Sequence, residues 1–241
     1  MSVSKKDLLA TVYYPETDGE PMAETDAHRQ LMVDLIESLK PFFAGEADVY
    51  VSGNLLLYYE PGNNQKSVAP DVFVVRGVGK HKRRTYKLWE EGCAPSVVIE
   101  VSSKETKKKD LGEKKDLYAQ LGVREYFIFD PEYKLKPPFR AFRLRGDQYV
   151  ELAITGARVR SDELGLELVN TGQTLRLFNP QTGQFLLTPE EEAEARLEAA
   201  IRAGQAEERA GQAEERAGQA EERAGLLAAK LRELGVDPDR I

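Results

Sequence analysis

The stretch SVVIEVSSKETKKKD, residues 96 to 110, sets a carboxylate inside a run otherwise suited to complete burial: Val97, Val98, Ile99, Glu100, Val101. An unpaired buried charge costs several kcal/mol, so Glu100 must either meet a cation of the protein or hold something that does chemistry. With a strand's period of two, Val98, Glu100 and Ser102 share one face, and Val97, Ile99 and Val101 share the other. A second carboxylate, Asp71, follows Pro70 at the entrance of the apolar run Val72 to Val75. Further on, Asp110, Lys114 and Tyr118 are spaced four apart, so a helix aligns them on one stripe and can deliver a cation to the sheet. Two carboxylates from neighbouring strands with a lysine nearby are the minimum for divalent-metal phosphodiester hydrolysis. Hard oxygen ligands suit Mg²⁺, with Mn²⁺ as an alternative, and such an ion lowers the pKa of an attacking water. The competing reading is structural: Asp71 as a turn residue after proline, and Glu100 with Lys114 as a buried salt bridge without catalysis.

These side chains need elements to position them. Thr25 or Asp26 can cap a helix that carries Leu31, Met32, Leu35, Leu39 and Phe42 at helical spacing. Residues 48 to 60 and 67 to 75 read as two strands around the turn PGNNQ. A short helical piece at TYKLWEEG precedes the Glu100 run, which is the third strand. DLGEKKDLYAQLG, residues 110 to 122, reads as an amphipathic helix with Gly122 as a left-handed cap. VREYFIFDP, residues 123 to 131, is a further strand of packed aromatics ended by a turn, and short strands continue to about Leu187. The order helix, three strands, helix, strand predicts a mixed α/β core, αβββαβ, with extra β strands attached.

At these residues the chain resembles the Uma family, grouped with restriction endonucleases in the PD-(D/E)XK nuclease superfamily. APDVFVV carries the PD element, VVIEVSS the strand with the second carboxylate, and DLGEKKDLYAQLGVREYFIFDP is similar to the family's helix-and-strand signature. The resemblance covers roughly residues 20 to 150. It implies a metal-dependent nuclease core in which Asp71 and Glu100 bind the metal and the carbonyl of Val101 completes its shell. The superfamily pattern expects lysine two residues after the glutamate, where this chain has Ser102. Other members carry that lysine on the following helix, which makes Lys114 the first candidate and Lys104 the second, with Lys115 about 100° round the helix from Lys114. His28 matches a histidine near the family's first helix. It shares a stripe with Leu31, Met32 and Leu35, and is expected either to reach the site or to serve as a structural histidine. Glu24 and Glu37 are further candidate carboxylates, and Asp110 is expected to position Lys114.

The rest of the sequence bounds the function. No stretch of signal-peptide length opens the chain and no segment approaches the roughly 18 apolar residues of a membrane span, so a soluble cytoplasmic protein is expected. A single cysteine, Cys93, excludes an internal disulfide framework and a zinc site built from several thiolates. The net charge of -7 is uneven: residues 189 to 241 carry -6 and residues 1 to 188 only -1. The body is therefore close to neutral, and its basic runs KHKRR (80 to 84) and KETKKKD (104 to 110) suit contact with phosphates.

RAGQAEE occurs three times in succession from Arg202 to Glu222, at the heptad period. Alanines and then Leu227, Leu231 and Leu234 keep coiled-coil spacing. Two domains are expected: a nuclease-like domain over 1 to 188 and an acidic coiled-coil-like tail over 189 to 241, through which a homodimer or homo-oligomer can form. The expected activity is Mg²⁺-dependent endonucleolytic hydrolysis of DNA. The rival readings are an inactive nuclease-fold protein that binds DNA or recruits a partner through its tail, and an enzyme acting on RNA.

Overall fold

A computed structural model describes residues 12 to 17, 19 and 25 to 234. In chain order, helix α1 (Asp26–Phe42) is followed by strands β1 (Val49–Ser52), β2 (Leu57–Tyr58), β3 (Ser67–Val68), β4 (Val72–Arg76) and β5 (Tyr86–Lys87). Then come helix α2 (Leu88–Glu91), strand β6 (Val97–Val101), helices α3 (Lys107–Leu111) and α4 (Glu113–Gln120), and strand β7 (Glu125–Phe129). Strands β8 (Phe139–Arg145) and β9 (Gln148–Glu151) precede β10 (Arg158–Arg160), β11 (Glu167–Asn170), β12 (Leu175–Asn179) and β13 (Gln184–Phe185). The last element is helix α5 (Pro189–Glu233).

The αβββαβ core is formed by α1, β1, β4, β6, the α3–α4 pair and β7. Its strands lie in a six-stranded sheet of order β1-β4-β6-β7-β8-β9. Only β6 and β7 run parallel; every other neighbouring pair in this sheet is antiparallel. A parallel pair needs a long crossover, and α3 with α4 supplies it, which places the helix carrying Lys114 directly after the strand carrying Glu100.

Each face of the sheet has its own core. Leu31, Leu35 and Leu39 of α1 pack with Val97, Ile99 and Val101, together with Leu166, Leu168, Leu175 and Leu177 of the C-terminal β segment. On the other face Tyr118, Val123, Tyr126 and Ile128 pack with Val98, Phe73 and Tyr86. The period of two in β6 thus sorts its valines and isoleucine between two dry layers, and Glu100 enters the second one. Thr25 caps α1, its side chain accepting the His28 N–H at 3.2 Å.

The region between β1 and β4 differs from the two long strands expected there. The run breaks at Gly53 and Asn54, and β2 and β3 leave the main sheet to form a small one of order β3-β2-β5. The expected helix 110 to 122 is likewise two helices, broken at Gly112, where a Cβ would come within 2.9 Å of the Lys108 carbonyl. Gly122 does take the left-handed conformation, at φ +81°. A further sheet, β10-β11-β12-β13, completes the β structure. The chain divides into two compact units, Met1–Pro189 and Glu190–Ile241. Among the described residues no helix is long and apolar enough to cross a membrane.

Candidate active site

The ladder between β4 and β6 ends where Val72 faces Ile99. One step beyond, the Asp71 side chain takes over from the backbone: its Oδ2 accepts the Val101 N–H at 2.7 Å. Gly53 makes this position possible. A Cβ there would fall 1.9 Å from the Asp71 carbonyl oxygen and 2.6 Å from Ile36 Cδ1, so no side chain fits without moving the Asp71 backbone. The Asn54 N–H donates to the Pro70 carbonyl at 2.8 Å and fixes the same turn.

Glu100 is fully buried. Its Oε1 accepts the Tyr118 hydroxyl at 2.6 Å, and its Oε2 lies 2.9 Å from Lys114 Nζ. The ammonium also lies 3.3 Å from Asp110 Oδ1 across the break at Gly112. Asp110 is buried and held from two sides: the Ser102 hydroxyl donates to its Oδ2 at 2.7 Å, and the Tyr126 hydroxyl donates to its carbonyl at 2.9 Å. Ser102, standing where the superfamily has lysine, therefore anchors the carboxylate that steadies the lysine arriving from the helix. The Lys114 side chain is 22% exposed as a whole, while its ammonium lies between the two buried carboxylates.

Three carboxylates, Asp71, Glu100 and Asp110, thus surround one lysine. Burial raises the Glu100 pKa; Lys114 opposes this, Asp71 and Asp110 reinforce it, and the carboxyl ends up at about 8. Burial also disfavours the Lys114 charge, but Glu100, Asp110 and Asp71 outweigh it and hold the ammonium above its ordinary value. For Asp71, burial alone would raise the pKa, yet the hydrogen bond from His28 and the charge of Lys114 bring it below the ordinary value. Burial and the neighbouring Glu100 hold the Tyr118 hydroxyl protonated, as a donor.

His28 does arrive at the site, its Nε2 3.5 Å from Asp71 Oδ1. Val101 arrives through its N–H. Of the candidate lysines, Lys114 reaches Glu100, whereas Lys104 is exposed in the turn before α3 and contacts none of the cluster among the described residues. Lys115 points elsewhere, over the Phe142 ring at 4.7 Å. Glu37 does not belong to the site: it lies on the exposed side of α1, paired with Lys40 at 2.6 Å. Glu24 lies outside the described residues. Sequence reasoning did not nominate Tyr118, Ser102 or Gly53 for the site. The first two were within reach, Tyr118 by its spacing of four from Lys114 and Ser102 by sharing the Glu100 face; nothing local marks Gly53.

Among the described residues no group of three His, Cys, Asp or Glu side chains is arranged to hold a metal ion. The donor set is instead two hard carboxylates in a site whose negative groups outnumber its lysine. That set suits Mg²⁺ or Mn²⁺, which are bound through few protein carboxylates and keep several waters; Asp71, Glu100 and the Val101 carbonyl are the groups that would hold it.

A family model, Uma2, described as "Putative restriction endonuclease", matches residues 11–204. The chain belongs to the Uma2 family. The matched span contains every member of the cluster from His28 to Tyr118, and membership supports a nuclease. Among solved structures, a protein from Anabaena variabilis ATCC 29413 described as a putative nuclease belonging to DUF820 is similar at 13% sequence identity and a TM-score of 0.45. The similarity covers 68% of this chain and 91% of that one. No curated protein matches the chain.

Proposed function

We propose that this Uma2-family protein is a metal-dependent endonuclease that hydrolyses phosphodiester bonds in DNA. The observation that carries the reading is the imbalance around Glu100: a fully buried carboxylate with two more carboxylates near it and a single lysine. A purely structural salt bridge needs one carboxylate for its lysine; three carboxyl groups converging on one lysine, crowded and buried enough to raise Glu100 to about 8, are what an entering cation would relieve.

Asp71 and Glu100, with the Val101 carbonyl, hold Mg²⁺ or Mn²⁺. When bound, such an ion lowers the pKa of water and offsets negative charge on a phosphate. The remaining work falls to the chain's own groups. Lys114 stays protonated, so it donates rather than abstracts a proton. Its ammonium orients a water and stabilises charge building on the scissile phosphate. Tyr118 and Lys114 fix the Glu100 carboxylate from both oxygens. His28 and the Val101 N–H fix Asp71, and Ser102 acts through Asp110 to position Lys114.

The test is cleavage of supercoiled plasmid and of single-stranded oligonucleotide with Mg²⁺, Mn²⁺ or EDTA, comparing wild type with Glu100→Ala. Metal-dependent cutting that the variant loses is expected. Calorimetric titration of Mg²⁺ and Mn²⁺ into wild type and Asp71→Ala should show weaker binding by the variant; equal affinity overturns the metal assignment. Salt-dependent DNA binding with no cutting in any condition would leave a binding module in place of an enzyme.

A further inference from the structure

Helix α5 has no buried residue along its 45 positions, and its charges follow a rule. With Ala203 as heptad position a, positions a and d are Ala203, Ala206, Ala210, Ala213, Ala217, Ala220 and Ala224, then Leu227, Leu231 and Leu234. Position g is arginine at 202, 209, 216 and 223, and position e is glutamate at 207, 214 and 221. Each repeat therefore flanks its apolar seam with one sign on each side.

Away from the seam, Gln212 and Gln219 donate to Glu208 and Glu215, and Arg196 pairs with Glu192. Of the charges flanking the seam, Arg202 lies 3.6 Å from Glu198 one turn back, while Glu207, Glu214, Glu221, Arg209, Arg216 and Arg223 form no ion pair or side-chain hydrogen bond among the described contacts. Leu227 and Leu234 stand 64% and 75% exposed at the C-terminal end of the same seam.

We propose that this face docks a second copy of the same chain as a parallel, in-register two-stranded coiled coil. The sign rule selects the orientation. In a parallel pair, position g of one helix faces position e of the next heptad in its partner. Arg202, Arg209 and Arg216 then meet Glu207, Glu214 and Glu221 of the second copy, twice over by symmetry. In an antiparallel pair, g faces g and e faces e, so every arginine meets arginine and every glutamate meets glutamate.

Register is set separately. The repeats alone permit a slip of one heptad, and Leu227, Leu231 and Leu234 oppose it because a slip would set leucines against alanines. The glycines at 204, 211, 218 and 225 fall at outward position b, where a Cβ would meet nothing within 4 Å. Each costs about 1 kcal/mol in a helix interior, so the pairing supports a helix that its own propensity does not. Parallel pairing brings the two Pro189 ends to the same end of the assembly. The inference does not depend on the nuclease reading.

The test uses the full chain with Cys93→Ser as background. Sedimentation is expected to show dimers at micromolar concentration. Under mild oxidation Ala203→Cys should cross-link to itself and Leu231→Cys to itself, while a mixture of the two variants, one tagged, should give no mixed cross-link. Replacing Glu207, Glu214 and Glu221 with lysine should weaken self-association roughly tenfold or more. Replacing Arg202, Arg209 and Arg216 with glutamate should do the same, and mixing the two variants should restore the dimer. A monomer throughout, a mixed 203–231 cross-link, or undiminished self-association of the charge-swapped chains would each overturn the proposal.

Discussion

Two glutamates lie buried on neighbouring parallel strands, Glu100 near the end of β6 and Glu125 at the start of β7, and their surroundings are opposite. Glu125 sees only donors. Its Oε1 accepts Arg143 Nε at 3.1 Å, Arg143 Nη2 at 2.8 Å and the Asp162 N–H at 3.0 Å, while its Oε2 accepts the Ser161 hydroxyl and the Glu163 N–H. Arg143 is bound in turn by Asp162 at 2.8 Å. The result is a closed staple joining β7 to the turn between β10 and β11. Glu100 has two donors, Tyr118 and Lys114, and its other charged neighbours are carboxylates. A buried carboxylate met only by donors ties elements of the fold together; one that shares its lysine with two further carboxylates carries a charge conflict that such a tie does not need.

Exchanging both residues for neutral ones separates the two roles, and the largest effect falls on activity. Glu100→Gln should lower metal-dependent cleavage on the order of 10³-fold, the scale of losing a main electrostatic contact of a reacting site, while leaving the protein folded. Glu125→Ala should retain the catalytic rate of the folded fraction but lose about 3 kcal/mol of stability, because Arg143 is left without its buried partner. Cleavage rates paired with urea unfolding of both variants check this crossing. Loss of activity in both, in proportion to stability, would remove the distinction.

The comparison also predicts a pH dependence. Glu100 titrates at about 8 in the folded protein against an ordinary value of 4.5. Between those values the folded state holds a proton that the unfolded chain has released, so this group's contribution to stability falls as pH rises. Asp71 does not overlap, since its lowered pKa acts only below its ordinary 3.8. Metal-free protein should therefore melt at a lower temperature at pH 8.5 than at pH 6. The part that disappears in Glu100→Gln should be on the order of 2 kcal/mol, or roughly 5 °C. Millimolar Mg²⁺ should stabilise the wild type more at pH 8.5 than at pH 6, because at the lower pH a proton competes for the same oxygens.

The core order αβββαβ was legible because each segment carries its own periodicity, and the Asp110, Lys114, Tyr118 stripe was legible because four-residue spacing is local. The contrast between the two glutamates was not. A carboxylate within an apolar run marks VVIEV and REYFIF alike, and what separates them is supplied from far along the chain: Ser161 to Glu163 for one, Asp71 for the other. The same limit explains the misread β1 region. Residues 48 to 60 look continuous, yet the close approach of Gly53 to Asp71, eighteen positions on, ends the strand. The helical course of α5 was legible because its repeat recurs every seven residues.

The smallest expected effect sharpens the comparison within the site itself. Ser102 touches neither Glu100 nor solvent; it donates to Asp110, which in turn contacts Lys114. In Ser102→Ala the buried Asp110 loses one hydrogen bond of about 1 kcal/mol or slightly more, and the lysine loses definition rather than charge. The turnover rate should fall roughly 3- to 10-fold with KM for DNA and metal affinity unchanged, and Ser102→Thr, which keeps the hydroxyl, should recover part of the loss. A merely structural serine would lower melting temperature and leave the rate of the folded enzyme alone. A serine that bound metal would change the affinity for Mg²⁺. Only a residue that positions Lys114 moves the turnover rate by itself, which makes the split between rate and affinity the measurement that decides how a site with Ser102 in the place of lysine still orders its cation.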